Sequence, residues 1–332
     1  MNNTTSAPLL RPGSNSSRPI VFTILVSLFP PSILCFGFVF YNFMSLRQLR
    51  INPINRFLMT LLIFNFLQII VDFPFRLYYL SKQNTLIQNT FFCLLWNWYD
   101  SILTTINLFI MAIGSIERYI FIFQLTFFRR HSFSFFILSM FICILIPTAW
   151  YTGLIFAYPC TNSLSYTRLQ CGELCYLTKS LFFSTFESYV FLVLPVTIIF
   201  FTNSLLILRV ILQKTRMERL DTMRLWYKNI RMISQLLFVS VLYTSIFLPS
   251  TILLFMATMT PSNPAQIWAN NIRVNYFFHL KYLAIFGCPF VILASQPKMH
   301  EQIKRFIRYC CPLRHQHNTN QIIPLTVRNT NR

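Results

Sequence analysis

The chain has 332 residues, of which 55% are hydrophobic and only 11% are charged. Soluble domains carry about 25% charged residues, and a soluble fold has no place to bury 37 phenylalanines. The composition therefore excludes a soluble globular domain and indicates an integral membrane protein. The net charge of +20 does not indicate nucleic-acid binding, because the basic residues cluster in short segments between apolar runs.

The first 19 residues are polar and rich in Asn, Ser, Thr and Pro, and such a segment cannot form a hydrophobic core. They contain three Asn-X-Ser/Thr sequons, at Asn2, Asn3 and Asn15. We predict a disordered extracellular tail over residues 1–19 that is glycosylated at these sites. The apolar run that begins near Ile20 continues at full span length, which predicts a membrane helix and not a cleaved signal peptide.

Seven apolar runs follow, and each is long enough to cross a bilayer as a helix. They cover about 20–46, 55–80, 91–124, 132–157, 181–211, 230–258 and 275–294. The sequence therefore predicts an all-α membrane protein with a seven-transmembrane helix bundle over residues 20–294. Five prolines inside the runs predict kinks, which membrane helices tolerate because neighbouring groups satisfy the freed carbonyls; they are Pro74, Pro147, Pro195, Pro249 and Pro289.

Most of the 28 basic residues lie in segments 47–56, 129–130, 209–231 and 298–332. Loops enriched in Lys and Arg stay in the cytosol. Together with the odd number of runs, this bias places the amino terminus outside the cell and the carboxyl terminus inside. We therefore expect a multi-pass protein of the plasma membrane.

After the seventh run, basic and apolar residues alternate at helical spacing from Lys298 to Tyr309. This pattern predicts a short amphipathic eighth helix within residues 295–311, lying on the inner membrane face in contact with lipids. Cys310 and Cys311 follow in a basic juxtamembrane setting that suits palmitoylation, although two unmodified thiols would also fit. Residues 312–332 are predicted to form a disordered cytoplasmic tail.

The third run joins a cysteine to a charged tripeptide. A helix from Cys93 to Arg118 would be roughly 37 Å long at ~1.5 Å per residue, which crosses a hydrocarbon core of ~30 Å. The tripeptide Glu117-Arg118-Tyr119 stands at its inner end. Charges at the edge of a span are costly and usually functional; the alternative is a boundary arginine that snorkels to the interface.

This arrangement resembles the third helix of rhodopsin-like (class A) G-protein-coupled receptors, and the likeness extends from about Ile20 to Cys311. Pro195, Pro249 and Pro289 match the kink prolines of that family's last three helices. The chain looks like a divergent member, similar to neuropeptide or amine receptors. The resemblance implies a receptor that binds an extracellular ligand and activates a heterotrimeric G protein, with Glu117, Arg118 and Tyr119 as the switch.

Asp100 lies 18 residues before Arg118, which is five helical turns, so the two residues share a face. A carboxylate inside the span needs a partner, which could be a cationic ligand, a basic side chain or water. The resemblance places Asp100 where amine-binding members pair with an ammonium group, and Tyr282 where a tyrosine often supports that aspartate. Asp72 and Arg76 are spaced i, i+4 and are expected to pair with each other.

Glu187, eight residues before Pro195, would enter the pocket from the fifth helix, and two acids there favour a basic peptide or a larger cation. The resemblance implies ligand contacts from Asp100, Glu187, Tyr282, His279 and Phe247. Phe247 stands in place of the family's toggle tryptophan and is expected to couple the pocket to the core. We expect a cationic amidated peptide or a biogenic amine as the ligand, and neither a cofactor nor a metal.

Four cysteines, namely Cys93, Cys160, Cys171 and Cys175, are predicted outside the cell, where disulfides persist. Four cysteines allow three connectivities. The family ties the outer end of its third helix to its second outer loop, which implies that Cys93 is bridged. Among the three candidates we expect Cys93–Cys175, with Cys160–Cys171 as a second bridge within the loop.

Other positions depart from the family pattern. Asn65 replaces the sodium-binding aspartate, Asn203 replaces a fifth-helix tyrosine, and Ile292 replaces the tyrosine of the seventh-helix motif. These departures imply a different set of neighbours around Arg118.

A transporter or channel is the alternative class, but the sequence has no internal repeat. An enzyme is disfavoured because only His279 of the five histidines lies in a span.

Overall fold

The structure is a computed structural model. It describes residues 17–46, 53–123, 125–172, 174–215, 220–259, 268–269, 272–296, 299 and 301–303, with the side chains of some helix-end residues among these left undescribed. Most residues within these ranges are helical, and the described part of the chain contains no strand. The remaining predictions, on glycosylation at Asn2, Asn3 and Asn15 and on palmitoylation at Cys310 and Cys311, concern residues outside the described ranges.

Among the described residues, seven helices are long and apolar enough to cross a membrane, which confirms the predicted fold class. Five of them lie within single α-helices. The fourth continues from its α-helix into the π-helical segment Gly153–Ala157, and the fifth is a composite of three segments. The α-helices of the spans other than the fifth are α1 Ser17–Ser45, α2 Pro53–Lys82, α3 Thr90–Phe123, α4 Leu125–Thr152, α6 Leu220–Met259 and α7 Phe278–Ser295. The fifth, α5, consists of α-helix Leu181–Glu187, π-helix Ser188–Val193 and α-helix Leu194–Thr215.

Helix α3 forms the centre of the bundle. Its most apolar window is 67% buried inside the protein, compared with 22% for the corresponding windows of α1 and α4. It packs against α2, α4 and α5, whereas α1 and α4 present side chains such as Leu34 and Phe141 to the bundle surface. A polar side chain on α3 is therefore placed among other helices and away from lipid.

Three π-helical segments lie at the end of the bundle that carries Cys93, called here the disulfide end. They are Gly153–Ala157 after α4, Ser188–Val193 within α5, and Arg273–Phe277 before α7. The second one precedes Pro195, whose missing N–H already weakens the local α-helical ladder. Segments of π-helix are rare overall, and those that occur often lie at functional sites. Their position therefore indicates a binding site at the disulfide end.

The two disulfides join the four predicted cysteines in a connectivity different from the expected one. Cys93 pairs with Cys171 and Cys160 pairs with Cys175, so the expected Cys93–Cys175 and Cys160–Cys171 pairs are wrong, although Cys93 is bridged as expected. The reason is local: Asn97 Nδ2 donates to the carbonyls of both Cys93 and Gln170, at 2.9 and 2.6 Å. This amide holds the residue before Cys171 beside the first turns of α3.

The same loop, residues 158–180, contains a 3-10 turn at Leu169–Cys171 and a short helix at Cys175–Lys179. The Cys175 N–H donates to Asn162 Oδ1 at 2.8 Å, and this bond brings the loop segment that contains Cys160 next to Cys175. Spacing along the sequence could not distinguish these pairings, because every connectivity among the four cysteines was sterically open until the loop was folded.

Residues 296–332 form a separate unit. Within it, Met299 and residues 301–303 are helical, and these positions fall inside the predicted amphipathic helix at 295–311. The rest of that helix and the predicted tail at 312–332 lie outside the described part of the chain.

Candidate functional site

Asp100 is the centre of a buried polar cluster at the disulfide end of the bundle. Its Oδ1 accepts a hydrogen bond from Gln68 Nε2 at 3.1 Å and an ion-paired one from Lys281 Nζ. Its Oδ2 accepts from Arg76 Nη2 at 3.4 Å and from Gln170 Nε2. The carboxylate is only 7% exposed, so these donors replace the water that a charged group would otherwise need.

Arg76 does not pair with Asp72 as the i, i+4 spacing predicted. Its Nη2 turns to Asp100, its Nε donates to the Tyr282 hydroxyl at 3.1 Å, and its Nη1 donates to the Phe278 carbonyl at 3.2 Å. Asp72 instead accepts hydrogen bonds from Trp96 Nε1 at 2.6 Å and from the Tyr282 hydroxyl. Tertiary partners on α3 and α7 therefore displace the local helical pair.

Tyr282 supports Asp72 and Arg76 in this arrangement. The resemblance implied that it supports Asp100, but its hydroxyl donates to Asp72 and accepts from Arg76. The side chain is fully buried, and Arg76 lies over its ring at 5.2 Å from the centroid. His279, one turn earlier on α7, is also buried.

The cluster carries balanced charge. Asp72 and Asp100 supply two negative charges, and Arg76 and Lys281 supply two positive ones, all four being buried. Of the three partners considered for Asp100, the structure therefore contains the basic side chains. A small amine would have to displace Lys281 or add an uncompensated positive charge, and both are costly in a low-dielectric site.

A small cavity below the cluster has room for about one water molecule. Gln68, Thr104, Asn107 and Lys281 line its polar side, and Tyr243, Phe247 and Ile285 line the rest. Asn107 Nδ2 donates to Gln68 Oε1 at 3.1 Å, and Lys281 Nζ donates to Thr104 Oγ1 at 3.3 Å. The cavity connects the Asp100 cluster to the middle of the bundle.

Phe247 lies at the boundary between this cavity and the core. Its ring stacks on Tyr243 with a centroid distance of 5.9 Å, and the Tyr243 hydroxyl donates to Asn65 Oδ1 at 2.9 Å. A movement of Phe247 would therefore change the contacts of α6 with α2. The coupling role expected for Phe247 from the family likeness stays a prediction.

Glu187 lies among aromatic side chains in a separate part of the disulfide end. Tyr151, Tyr176 and Trp150 surround its carboxylate, and Trp150 stacks on Phe186 with a centroid distance of 4.7 Å. Its buried Oε2 accepts no hydrogen bond from any described residue. Burial raises the pKa of Tyr176 well above its ordinary value, so that phenol stays protonated beside the carboxylate.

At the other end of α3, Arg118 is 1% exposed and is held by neutral groups. Its Nε donates to the Gly114 carbonyl at 2.9 Å, and its Nη2 donates to the hydroxyls of Ser115 and Ser240 at 3.1 and 2.8 Å. Its Nη1 donates to Asn203 Oδ1 at 3.3 Å. The guanidinium thereby joins α3 to α5 and α6.

The other two residues of the tripeptide lie apart from this network. Glu117 is buried, and its Oε1 accepts no hydrogen bond within the described part of the chain. Tyr119 lies beneath the guanidinium of Arg209 on α5, at 5.2 Å from the ring centroid. Among the described residues, no hydrogen bond or ion pair joins Glu117 to Arg118.

Sequence reasoning missed Lys281, Gln170 and Gln68 as members of the Asp100 cluster. Lys281 had a usable signal, because a lysine within a membrane span is rare and marks a buried partner. Gln170 had none, since a neutral residue in a loop has no pattern that directs it into the bundle. Asn203, noted only as a departure, is an acceptor for Arg118.

The fold and the two polar sites on α3 define a multi-pass membrane protein with the architecture of a seven-helix receptor. The profile of the family "7 transmembrane receptor (rhodopsin family)" matches residues 37–288, well over half of the chain. The chain therefore belongs to the rhodopsin family of seven-transmembrane receptors, which are receptors and not enzymes.

Comparison with solved structures agrees about the fold. The crystal structure of squid rhodopsin is similar with a TM-score of 0.65 and 16% sequence identity, over 93% of this chain and 86% of the squid chain. At this identity the likeness concerns the fold alone. No curated protein matches the sequence.

Proposed function

We propose that this receptor binds an extracellular ligand at the disulfide end of the bundle and activates a heterotrimeric G protein at the Arg118 end. It would act in the plasma membrane with its amino terminus extracellular and its carboxyl terminus cytoplasmic, as the basic segments predict. Membership of the family supports ligand and G-protein partners in general.

The observation that carries the proposal is the set of hydrogen bonds that keeps Arg118 in place. The guanidinium bridges three helices through neutral hydroxyl and amide acceptors on Ser115, Asn203 and Ser240. Neutral acceptors bind a cation less strongly than a carboxylate does, so the bridge can break without leaving a second buried charge. This property suits a two-state element that a ligand shifts from the opposite end.

The ligand proposed here is a cationic peptide with an amidated carboxyl terminus, rather than a biogenic amine. Asp100 is already neutralised by Lys281 and Arg76, so it offers no free charge to a small amine. Glu187 keeps an unpaired buried oxygen among aromatic rings. A carboxylate with aromatic faces around it is a favourable environment for a guanidinium or ammonium group.

A second-messenger screen tests both parts of this proposal. Cells that express the receptor are exposed to biogenic amines and to short basic peptides, each peptide as the amide and as the free acid. We expect a G-protein response to basic peptides, which Arg118→Ala abolishes while surface expression persists. A ligand-evoked ion flux that needs no G protein would instead support a channel and contradict the proposal.

The variant Glu187→Gln tests the cationic contact. Loss of a charge-assisted contact worth about 1.5–3 kcal/mol is expected to weaken the potency of a basic peptide by roughly 10- to 100-fold. Ser188→Ala is the matched control, because it alters the adjacent residue without changing charge. Equal potency of the Glu187→Gln variant and the unmodified receptor would remove Glu187 from the binding role.

A further inference from the structure

Gln170 enters the Asp100 cluster from a loop that is held in an unusual backbone conformation. Three consecutive residues have positive φ: Gln170 at 54°, Cys171 at 61° and Gly172 at 91°. Such angles cost a non-glycine residue about 1–3 kcal/mol and persist only where the surroundings enforce them. Here the Cys93–Cys171 disulfide and the bond from Asn97 Nδ2 to the Gln170 carbonyl enforce them.

The strained turn places one side-chain group, the Gln170 carboxamide, inside the bundle. The Gln170 carboxamide donates to Asp100 Oδ2, next to Arg76 Nη2. Among the described residues that donate to Asp100, Gln170 alone comes from a loop, while Gln68, Arg76, Thr104 and Lys281 stand on spanning helices. Gln170 is neutral, so its departure breaks no buried ion pair, and because it comes from a loop it can leave without moving a spanning helix.

The charge balance of the cluster determines which chemical group of a ligand could replace the Gln170 carboxamide. An ammonium would add a positive charge beside Arg76 and Lys281, and a carboxylate would lie against Asp100. Both changes leave an uncompensated buried charge, which is strongly unfavourable. A primary carboxamide is neutral and supplies the same N–H donor to the same oxygen.

We propose that Asp100 Oδ2 is part of a carboxamide subsite, which Gln170 fills in the unliganded receptor and a ligand carboxamide fills in the bound one. The carboxyl-terminal amide of a peptide supplies this group. The identity of the natural ligand rests on the proposed function, but the subsite itself does not.

The test uses acetamide as the probe, because Gln170→Ala removes the two side-chain carbons and the amide that acetamide contains. The purified full-length receptor is unfolded thermally with and without acetamide at about ten times its dissociation constant. We expect acetamide to raise the Tm of the Gln170→Ala variant by roughly 2–5 °C, and to change the Tm of the unmodified receptor far less.

Three controls keep the result specific. N,N-dimethylacetamide lacks the N–H donor and acetate carries a charge, so neither is expected to stabilise the variant. Arg168→Ala alters the same turn without creating the vacancy, and acetamide is expected to leave its Tm unchanged. If Gln170→Ala does not fold, Gln170→Gly is used with propionamide as the matched probe, with the same expectation.

Equal stabilisation of variant and unmodified receptor by acetamide would overturn the proposal, as would equal stabilisation by acetamide and its dimethyl derivative. The measurement needs no G protein and no natural ligand. A receptor that evokes no second messenger but whose Gln170→Ala variant binds acetamide would contradict the proposed function while keeping the subsite.

Discussion

Asp100 and Lys281 illustrate what burial does to single residues in this protein. Each would be prohibitively costly alone in a membrane span, and each becomes tolerable because the other is in contact. Arg76 and Asp72 complete a group with no net charge. The four charges therefore form one structural unit, and the effect of substituting one of them on stability depends on the other three.

A double-mutant cycle tests this dependence. Asp100→Asn leaves two cations against Asp72, and Lys281→Met leaves two acids against Arg76, so each single change is expected to destabilise by about 3–5 kcal/mol. The double variant restores neutrality, and its loss should be smaller than the sum by at least ~1 kcal/mol. Thermal unfolding of the purified receptor is the measurement.

Lys179→Met provides the control for this cycle, because Lys179 is an exposed cation on the short loop helix. Combined with Asp100→Asn, it is expected to give additive losses. Additive losses for the pair Asp100→Asn and Lys281→Met as well would show that the two side chains do not depend on each other.

Helices α3, α5 and α6 are joined at the Arg118 end by one guanidinium. The bond to Ser240 fixes α6 to α3 in an arrangement where Arg118 is buried and out of reach of a G protein. Among the described helices α6 is the longest, Leu220–Met259, so loss of the Ser240 bond would allow a long helix to move. The neutral hydroxyl makes the connection reversible.

We expect Ser240→Ala to raise basal G-protein activation. Loss of one charge-assisted hydrogen bond, worth about 1.5–3 kcal/mol, shifts the two-state ratio by roughly 10- to 100-fold. Basal second-messenger output, normalised to surface receptor, measures the change. Ser245→Ala on the same helix is the control, because its hydroxyl donates only to the local Leu242 carbonyl among the described contacts.

Ser240→Thr keeps the hydroxyl and is expected to preserve the low basal output. An unchanged basal signal in Ser240→Ala, at equal surface expression, would mean that the Ser240 hydroxyl does not restrain α6. A lowered basal signal would mean that the described arrangement belongs to the signalling state.

On the scale of the whole molecule, the distribution of charge along the sequence predicts how the bundle is oriented in the membrane. The basic residues behind the net charge of +20 are concentrated in segments 47–56, 129–130, 209–231 and 298–332, and this pattern predicts that the Arg118 end faces the cytosol. The disulfides at the opposite end require an oxidising compartment. The two arguments are independent and give the same orientation.

Glycosylation tests that orientation. With the amino terminus outside, the sequons at Asn2, Asn3 and Asn15 pass through the secretory lumen, and enzymatic removal of N-linked glycans should increase gel mobility. The triple Asn→Gln variant should migrate at the deglycosylated position without treatment. A surface receptor whose mobility is the same before and after deglycosylation, and equal to that of the triple variant, would oppose this topology.

The sequence by itself determined the seven spans, and it predicted their direction and the roles of Cys93, Asp100 and Arg118. These features follow from apolar length, from the placement of Lys and Arg, and from the cost of charge in a bilayer, all of which are properties of short segments. The family likeness added the expectation of a bridge at Cys93, which the structure contains, and the switch role of the tripeptide at Arg118, which stays a prediction.

Only the tertiary structure decided which groups meet. It replaced the local Asp72–Arg76 pair by Arg76–Asp100, exchanged the disulfide partners, and brought Lys281 and Gln170 onto one carboxylate. The physical reason is that a buried charge takes the best partner in three dimensions. In this bundle the neighbours of α3 come from positions up to 181 residues away along the chain.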